Sequence, residues 1–340
     1  PHPCPHETTP LSPPRRRRWW KWILGTLGAL VLLVALVGAS LYHLVLGGYR
    51  EDSFEYAGVR RTFGYVLPRR YDPSQASPLV LLLHGAGMNA KTMAILANLD
   101  VRPRADAEHA ILIYPEALEG LWNDGMGAVQ PRTNPAPDSA FIAALIDRFV
   151  SERNGDSNRV YLLGVSNGAA LGYRLACEHP RRFAALACFI GGMSSPWIQQ
   201  ATNLPPVPIR IVNSTRDPFV RWEGGPVVFG DDPPLAILAS VEENVAYWTN
   251  RNRAGPIPRI TPRPNPSTED HSQVTEYEYS GDAEVVVVKV EGADHSVPTP
   301  HFRPWNGPGT NRDIEAVPEA LEFLFRFHQA PNGNVRRGIP

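Results

Sequence analysis

The sequence predicts an α/β fold, in which helices cover both faces of a mostly parallel central sheet, preceded in the chain by one N-terminal transmembrane helix. Apolar runs of strand length, such as residues 78–83, alternate with segments of helical periodicity along most of the chain. This alternation is typical of parallel strands joined by right-handed helical crossovers. Several runs are apolar at every position, as strands buried on both faces are. An uncharged stretch of about 20 residues predicts the transmembrane helix.

The first 53 residues are expected to form a disordered leading segment, a transmembrane helix and a linker. Residues 1–22 are rich in Pro and basic residues and predict a disordered cytoplasmic lead. Residues 23–42 carry no charge and predict a signal-anchor, because about 20 residues at about 1.5 Å rise each cross a bilayer core. Residues 43–53 are expected to form a linker between this helix and the domain that follows. Four arginines precede the span, which places the N-terminus in the cytoplasm and the remainder in the periplasm or outside the cell.

A cleaved signal peptide is the alternative interpretation of this segment. Val37, Gly38 and Ala39 are small residues of the kind that signal peptidase recognises, and cleavage there predicts a secreted domain. The apolar run is longer than the 7 to 15 residues, roughly, of most such peptides, which favours an uncleaved anchor.

Residues 54–330 predict the catalytic domain, and residues 331–340 a flexible tail. Asp138 is the predicted N-cap of one helix, and the Pro-rich residues 255–266 predict an irregular loop. The predicted strands are 54–56, 60–66, 78–83, 111–114, 160–163, 183–190, 208–212 and 284–290, and the predicted helices are 139–150, 167–177, 235–250 and 314–328.

Charge and cysteine content exclude several classes of function. From residue 51 onward the chain carries 27 basic and 33 acidic residues, so it lacks the basic excess that nucleic-acid binding requires. Its three cysteines are too few for a disulfide scaffold, and none is spaced for a zinc site. Whether Cys177 and Cys188 pair stays open at this point. We expect neither a metal ion nor a nucleic-acid partner.

A Gly-x-Ser-x-Gly motif at residues 164–168 predicts a nucleophilic serine, Ser166. The motif follows an apolar strand and opens a helix rich in small residues, which is the setting of a nucleophile elbow. A serine hydroxyl needs a histidine to take its proton and an acid to orient that histidine. Asp217 and His295 each follow a later strand, in the chain order Ser, acid, His that this kind of fold uses.

Other acids and histidines compete for these two roles. Asp231 and Asp232 lie farther into the loop after the same strand, Asp294 adjoins His295, and His301 follows six positions later. Side chains adjacent in sequence seldom point at each other, which disfavours Asp294. We therefore expect the triad to be Ser166, Asp217 and His295.

Two backbone N–H groups are expected to stabilise the oxyanion, those of Asn167 and of Ala86 in the loop after residue 83. His84 in the same loop supports its backbone or contacts the substrate. Trp122 and Trp305 lie in loops near strand ends and either line a substrate cleft or form turns.

These motifs together resemble the polyhydroxybutyrate depolymerase and feruloyl esterase group, which are carbohydrate-esterase-like α/β hydrolases. The resemblance covers about residues 60–328. It rests on Asp217 and on seven short segments: Leu-Leu-Leu-His-Gly at 81–85, Tyr-Pro-Glu at 114–116, Trp-Asn-Asp-Gly at 122–125, Asp-Ser-Ala-Phe-Ile at 138–142, Gly-Val-Ser-Asn-Gly at 164–168, Cys-Glu-His-Pro at 177–180 and Gly-Ala-Asp-His at 292–295.

The resemblance implies hydrolysis of a carboxylic ester through an acyl-enzyme, with the same triad and without a metal or organic cofactor. The implied substrate is small or polymeric, of the polyhydroxyalkanoate or the feruloyl or acetyl type. The chain departs from the group at three places. Residues 213–215 read Asn-Ser-Thr for His-Gly-Thr, Ala86 replaces a common Cys, and Val297 replaces a common Trp, which changes the pocket.

Two other functions are alternatives to ester hydrolysis. A serine peptidase or amidase on this fold has the same triad, because fold and triad do not determine the acyl substrate. A non-catalytic extracytoplasmic binding module is the other alternative, and the complete Ser, Asp and His set argues against it.

Overall fold

The chain divides into two units, at Gly47 and Gly48, in a computed structural model that describes residues 19–125, 137–231, 233–301, 307–330 and 335–338. In the first unit, helix α1 (Trp19–Leu46) contains an apolar window, Ile23–Ser40, with a mean hydropathy of 2.4. By length and composition this helix is able to cross a membrane, although a signal sequence meets the same criteria. Residues 1–18 of the expected lead lie outside the described residues.

The second unit is built on one sheet, which has ten strands among the described residues. Its strands are β1 (Tyr49–Tyr56), β2 (Val59–Val66), β3 (Ser77–Leu83), β4 (Ile111–Pro115), β5 (Gly155–Val165), β6 (Ala185–Phe189), β7 (Ile209–Ser214), β10 (Arg259–Pro262), β11 (Gln273–Tyr279) and β12 (Val285–Glu291). Their spatial order is β1-β2-β4-β3-β5-β6-β7-β12-β11-β10. Two short hairpins lie outside the sheet and pair β8 (Gly225–Val227) with β9 (Ala236–Leu238), and β13 (Phe327–Gln329) with β14 (Val335–Arg337).

The central strands β4, β3, β5, β6, β7 and β12 are parallel, and the strands at both edges are antiparallel. The helices are α2 (Ala90–Ala107), α3 (Asp138–Arg153), α4 (Asn167–Glu178), α5 (Ser195–Gln200), α6 (Val241–Arg251) and α7 (Ala316–Leu324). Helix α2 packs against α7, and α3 packs against α4.

Both faces of the sheet are apolar, because the central strands are apolar at consecutive positions. Leu79, Leu81 and Leu83 belong to the core that also includes residues of α3 and α4. Successive side chains of a strand point to opposite faces. Val80 and Leu82, which are also fully buried, therefore face the other side of the sheet. The predicted fold class, a mostly parallel sheet with helices on both faces, is confirmed.

Several predicted boundaries are wrong because contacts outside the local sequence decide them. Strand β1 begins at Tyr49, inside the expected linker, because β1 pairs with β2 from that residue onward. Asp138 is the first residue of α3 and not its N-cap, because its carboxylate bonds elsewhere. The expected tail contains β14, which pairs with β13.

Three further segments differ from the prediction. The expected helix 235–250 begins as strand β9, and α6 starts only after Ser240, whose side chain forms a capping box with Glu243. The expected helix 314–328 ends at Leu324, before β13. Within the expected loop 255–266, residues Arg259–Pro262 form edge strand β10, because β11 supplies the pairing partner.

Cys177 on α4 and Cys188 on β6 are both free thiols in the buried core. The Cys177 Sγ lies 3.3 Å from the hydroxyl of Tyr247. Burial raises the pKa of both thiols, which keeps them protonated near neutral pH. Neither thiol is therefore an activated nucleophile.

Candidate active site

Ser166 lies in the sharp turn between β5 and α4, with φ 55° and ψ −119°. A non-glycine residue rarely adopts a positive φ, so the surrounding contacts must hold this backbone in place. A Cβ on Gly168 would lie 2.3 Å from the carbonyl oxygen of Leu83. A Cβ on Gly164 would lie 2.6 Å from the carbonyl oxygen of Gly168. The two glycines thus allow strand and helix to approach closely enough for this turn.

The structure brings together the three side chains that the sequence predicts to act together. His295, after β12, has its Nε2 3.0 Å from the Ser166 Oγ and its Nδ1 2.6 Å from Oδ2 of Asp217, after β7. An ionised carboxylate only accepts hydrogen bonds, so Nδ1 carries the proton and Nε2 is left to accept from the serine hydroxyl. This arrangement suits removal of a proton from Ser166.

The carboxylate of Asp217 is held by more than the histidine. Its Oδ1 accepts hydrogen bonds from the N–H groups of Phe219 at 2.8 Å and Val220 at 2.9 Å. The Asp217 side chain is fully buried, whereas 20% of the His295 side chain is exposed. The Phe219 ring and the imidazole of His295 also pack edge to face. These contacts limit rotation of both members of the pair.

The competing residues lie elsewhere. His301 is half exposed, and its Nε2 is 3.0 Å from Oε1 of Glu315. Asp294 directs its carboxylate toward Gly309, where a Cβ would lie 2.5 Å from Oδ2. Asp231 is exposed, and Asp232 lies outside the described residues.

The loop expected to provide the oxyanion hole passes directly beside Ser166. A Cβ placed on Gly85 would be 3.4 Å from the Cβ of Ser166, which puts the loop containing Ala86 next to the nucleophile. Asn167 is the first residue of α4, where backbone N–H groups have no partner within the helix. Its side chain accepts from Trp122 N at 2.7 Å and donates to Asp124 Oδ2 at 2.6 Å.

Trp122 and His84 are both fully buried, so a substrate cannot touch either side chain without rearrangement of this region. For both residues, this burial favours support of the oxyanion loop, the loop after residue 83 that contains Ala86, over contact with substrate. Trp122 Nε1 donates to the His84 carbonyl at 2.9 Å, and the two rings lie 4.9 Å apart. His84 Nδ1 lies 2.8 Å from Gly85 O, and Nε2 accepts from Ala117 N. Burial lowers the pKa of His84, which keeps it neutral.

Arg61 is a supporting residue that the sequence interpretation did not single out. This fully buried side chain donates to Asp138 Oδ1 at 2.6 Å and to the carbonyl of Glu116. The other oxygen of Asp138 accepts from the N–H of Asn123, next to Trp122. The alternation of side chains along β2 could have identified Arg61 as buried, because Arg61 lies on the same face of this strand as the buried Phe63 and Tyr65.

A cavity of about 360 Å³ adjoins Ser166 and His295. Its lining includes Met88, Met93 and Val297, so Val297, which replaces the common Trp, lies at the site. Trp305, the third expected substrate-binding residue, lies outside the described residues. Within the described ranges no group of three or more His, Cys, Asp or Glu side chains is placed to hold a metal ion.

Comparison with known proteins gives one family match. A model of the Alpha/beta hydrolase family matches residues 80–304. Among curated sequences, the chain is 28% identical over 260 residues to the putative esterase NocK of Nocardia uniformis subsp. tsuyamanensis, with 74% of each chain covered. It is 25% identical over 234 residues to feruloyl esterase B of Talaromyces stipitatus, covering 65% of this chain and 64% of that protein.

One further relative and one solved structure are also similar to this chain. The chain is 27% identical over 194 residues to a poly(3-hydroxybutyrate) depolymerase of Ralstonia pickettii, covering 52% of this chain and 39% of that enzyme. Its fold is similar to an acetyl xylan esterase from Aspergillus awamori, with a TM-score of 0.53, 15% identity and coverage of 74% and 95% of the two chains. At this identity the structural similarity shows the fold alone.

Proposed function

The chain belongs to the alpha/beta hydrolase family, and we propose that it is a carboxylic-ester hydrolase that cleaves its substrate through an acyl-enzyme on Ser166. Relatives named feruloyl esterase and poly(3-hydroxybutyrate) depolymerase confirm the resemblance noted in the sequence. The observation that carries the mechanism is the pair of short contacts from His295, 3.0 Å to Ser166 and 2.6 Å to Asp217.

The first half of the proposed reaction acylates the serine. The Ser166 oxygen attacks the carbonyl carbon of the ester while its proton passes to Nε2 of His295. The carbonyl π electrons move to the oxygen, and the backbone N–H groups of Asn167 and Ala86 stabilise that oxyanion. The oxyanion then collapses, the bond to the alcohol oxygen breaks, and His295 donates its proton to the leaving alcohol.

The second half releases the acid. A water molecule gives a proton to His295 and attacks the acyl carbon, and the bond between that carbon and the Ser166 oxygen breaks. His295 returns the proton to Ser166, which restores the starting state. Asp217 stays ionised throughout, holds the imidazole in one tautomer and stabilises the imidazolium that forms twice.

An active-site probe tests this proposal on the full-length chain. We expect a fluorophosphonate to label Ser166 stoichiometrically, and p-nitrophenyl butyrate to be hydrolysed far faster than the matching anilide, because p-nitrophenolate is a much better leaving group than p-nitroaniline. Peptide mapping identifies the labelled residue. An absence of both labelling and turnover contradicts the serine mechanism, and faster cleavage of the anilide indicates an amidase.

We also propose that α1 anchors this enzyme in a membrane with residues 54–330 on the extracytoplasmic side. The apolar window Ile23–Ser40 and the four arginines before it support this topology. We expect the chain to remain with the membrane during extraction at alkaline pH, at its full mass. Release as a species shortened near Ala39 would indicate a cleaved signal peptide instead.

A further inference from the structure

The cavity beside Ser166 is larger than the ester bond and a short acyl group require. Its volume of about 360 Å³ is more than twice the ~150 Å³ that accommodates benzene in an engineered cavity. One wall is formed by Met93, Leu96, Ala97 and Asp100 of α2. These positions have the spacing i, i+3, i+4 and i+7, so they form one stripe along the helix.

The stripe orients the cavity along the axis of helix α2. Met93 and Asp100 are seven residues apart, which corresponds to about 10 Å along the helix axis. Helix α2 follows the oxyanion loop, and both the Met88 sulfur and the Ser166 Cβ flank Gly85 in that loop. The Met93 end of the stripe therefore starts beside the nucleophile, and the Asp100 end lies away from it. We call this cavity the α2 groove.

The chemistry of the α2 groove favours an aliphatic occupant. The wall facing α2 includes Val297, Pro298, Val317 and Pro318, which have no polar side-chain atoms. The methionines of the groove are unbranched and adapt to an extended chain. Among the described residues that line the groove, Phe229 is the only aromatic residue of the Phe, Tyr and Trp types. Its ring stacks on that of Phe219. No aromatic side chain along α2 is therefore available to stack on a planar acid.

Two carboxylates, those of Asp100 and Glu315, are among the residues that line the groove. Asp100 ends the α2 stripe, and Glu315 pairs with His301 where both side chains are half exposed. These two carboxylates disfavour a second carboxylate on the substrate, since like charges repel. A neutral chain end meets no such cost.

We propose that the α2 groove binds the acyl part of the substrate and that its preferred occupant is a neutral, unbranched aliphatic acyl chain on the order of eight carbons, enough to fill a length of about 10 Å. This inference rests on the proposed esterase function of Ser166. His295, which must protonate the departing alcohol, keeps 20% of its side chain exposed. The alcohol therefore leaves toward solvent, and the apolar wall of α2 is left to the acyl chain.

The direct test is a chain-length series of p-nitrophenyl esters, from acetate to decanoate, on the full-length chain in bilayer nanodiscs without detergent. We expect kcat/KM for the octanoate to exceed that for the acetate by at least about 100-fold, since the octanoate buries six more methylenes and each adds binding free energy. Methyl octanoate should also be cleaved faster than methyl ferulate and than monomethyl suberate. A preference for the acetate or the ferulate would overturn the proposal.

The matched variants introduce the same side chain on two faces of α2. Ala97→Phe fills the groove and should reduce the octanoate-to-acetate ratio to about 3 or less, because the longer chain loses its buried methylenes. Ile95→Phe changes an exposed residue of the same helix outside the groove and should keep the ratio of the unmodified chain. Equal ratios in both variants would contradict the assignment. If Ala97→Phe does not fold, Val317→Phe narrows the opposite wall and should have the same effect.

The two proposals fail separately. If the fluorophosphonate labels Ser166 and butyrate is hydrolysed while rates do not depend on acyl length, the esterase function stands and the groove assignment is wrong. A rate that depends on the alcohol chain of alkyl acetates, and not on acyl length, also overturns the assignment. Failure of labelling and of all ester hydrolysis overturns the proposed function itself.

Discussion

Ser166→Ala is expected to lower kcat/KM for p-nitrophenyl butyrate by a factor of about 10⁴ to 10⁶, the range that loss of a serine nucleophile gives in other hydrolases. Removal of the hydroxyl leaves His295 without a proton to take, so no acyl-enzyme forms. The backbone N–H groups of the oxyanion loop remain and give the residual rate. Steady-state kinetics with active-site titration of the unmodified chain measures the change.

The double variant Ser166→Ala, His295→Ala tests whether the two residues act together. The two residues act as one unit, so the second change should lower the rate by less than about threefold beyond the first. Ser151→Ala, the same change on the exposed surface of α3, should stay within about twofold of the unmodified chain. Substantial activity in Ser166→Ala, with a fold verified by circular dichroism, would assign the nucleophile elsewhere.

Asp217→Asn is expected to lower kcat by about 10³ to 10⁴, the second largest effect. The asparagine oxygen still accepts from the N–H groups of Phe219 and Val220, which directs the amide nitrogen toward Nδ1 of His295. An amide N–H donates, so Nδ1 must become the acceptor and the ring proton moves to Nε2. Nε2 then no longer accepts the proton of Ser166.

The control for this variant is Asp294→Asn. Asp294 adjoins His295 in sequence, but its carboxylate is directed toward Gly309. We expect kcat to change by less than about fivefold in this variant. Kinetics at saturating butyrate ester compare the two, and a larger loss in Asp294→Asn than in Asp217→Asn would reverse the assignment of the acid.

The local sequence was sufficient for the parts of the site that depend on neighbouring residues. Strands such as β3 are apolar at consecutive positions, and that pattern identifies a strand buried on both faces. The turn at Ser166 needs glycines at 164 and 168, because any side chain there meets backbone atoms. The motif, the chain order of Ser166, Asp217 and His295, and the strands before them therefore predict which three side chains meet.

Only the tertiary structure decided which polar residues reach the substrate and which support the site. Trp122 and His84 have the composition of a cleft wall, yet the packing of distant segments buries both behind the oxyanion loop. Arg61 and Asp138 are 77 positions apart, and no local pattern pairs them. No local pattern predicts the α2 groove either, because it forms where α2 meets residues 295–299 and the start of α7.

The sequence by itself thus determined the fold class and the identity of the three meeting side chains, since both follow from short patterns of apolar, glycine and strand-end residues. The tertiary structure decided the support of the oxyanion loop, the edge strand β10, the separate hairpin strand β14, and the shape of the α2 groove. Each of these depends on contacts between segments far apart in the chain. Such contacts exist only once the sheet has assembled and its helices have packed against it.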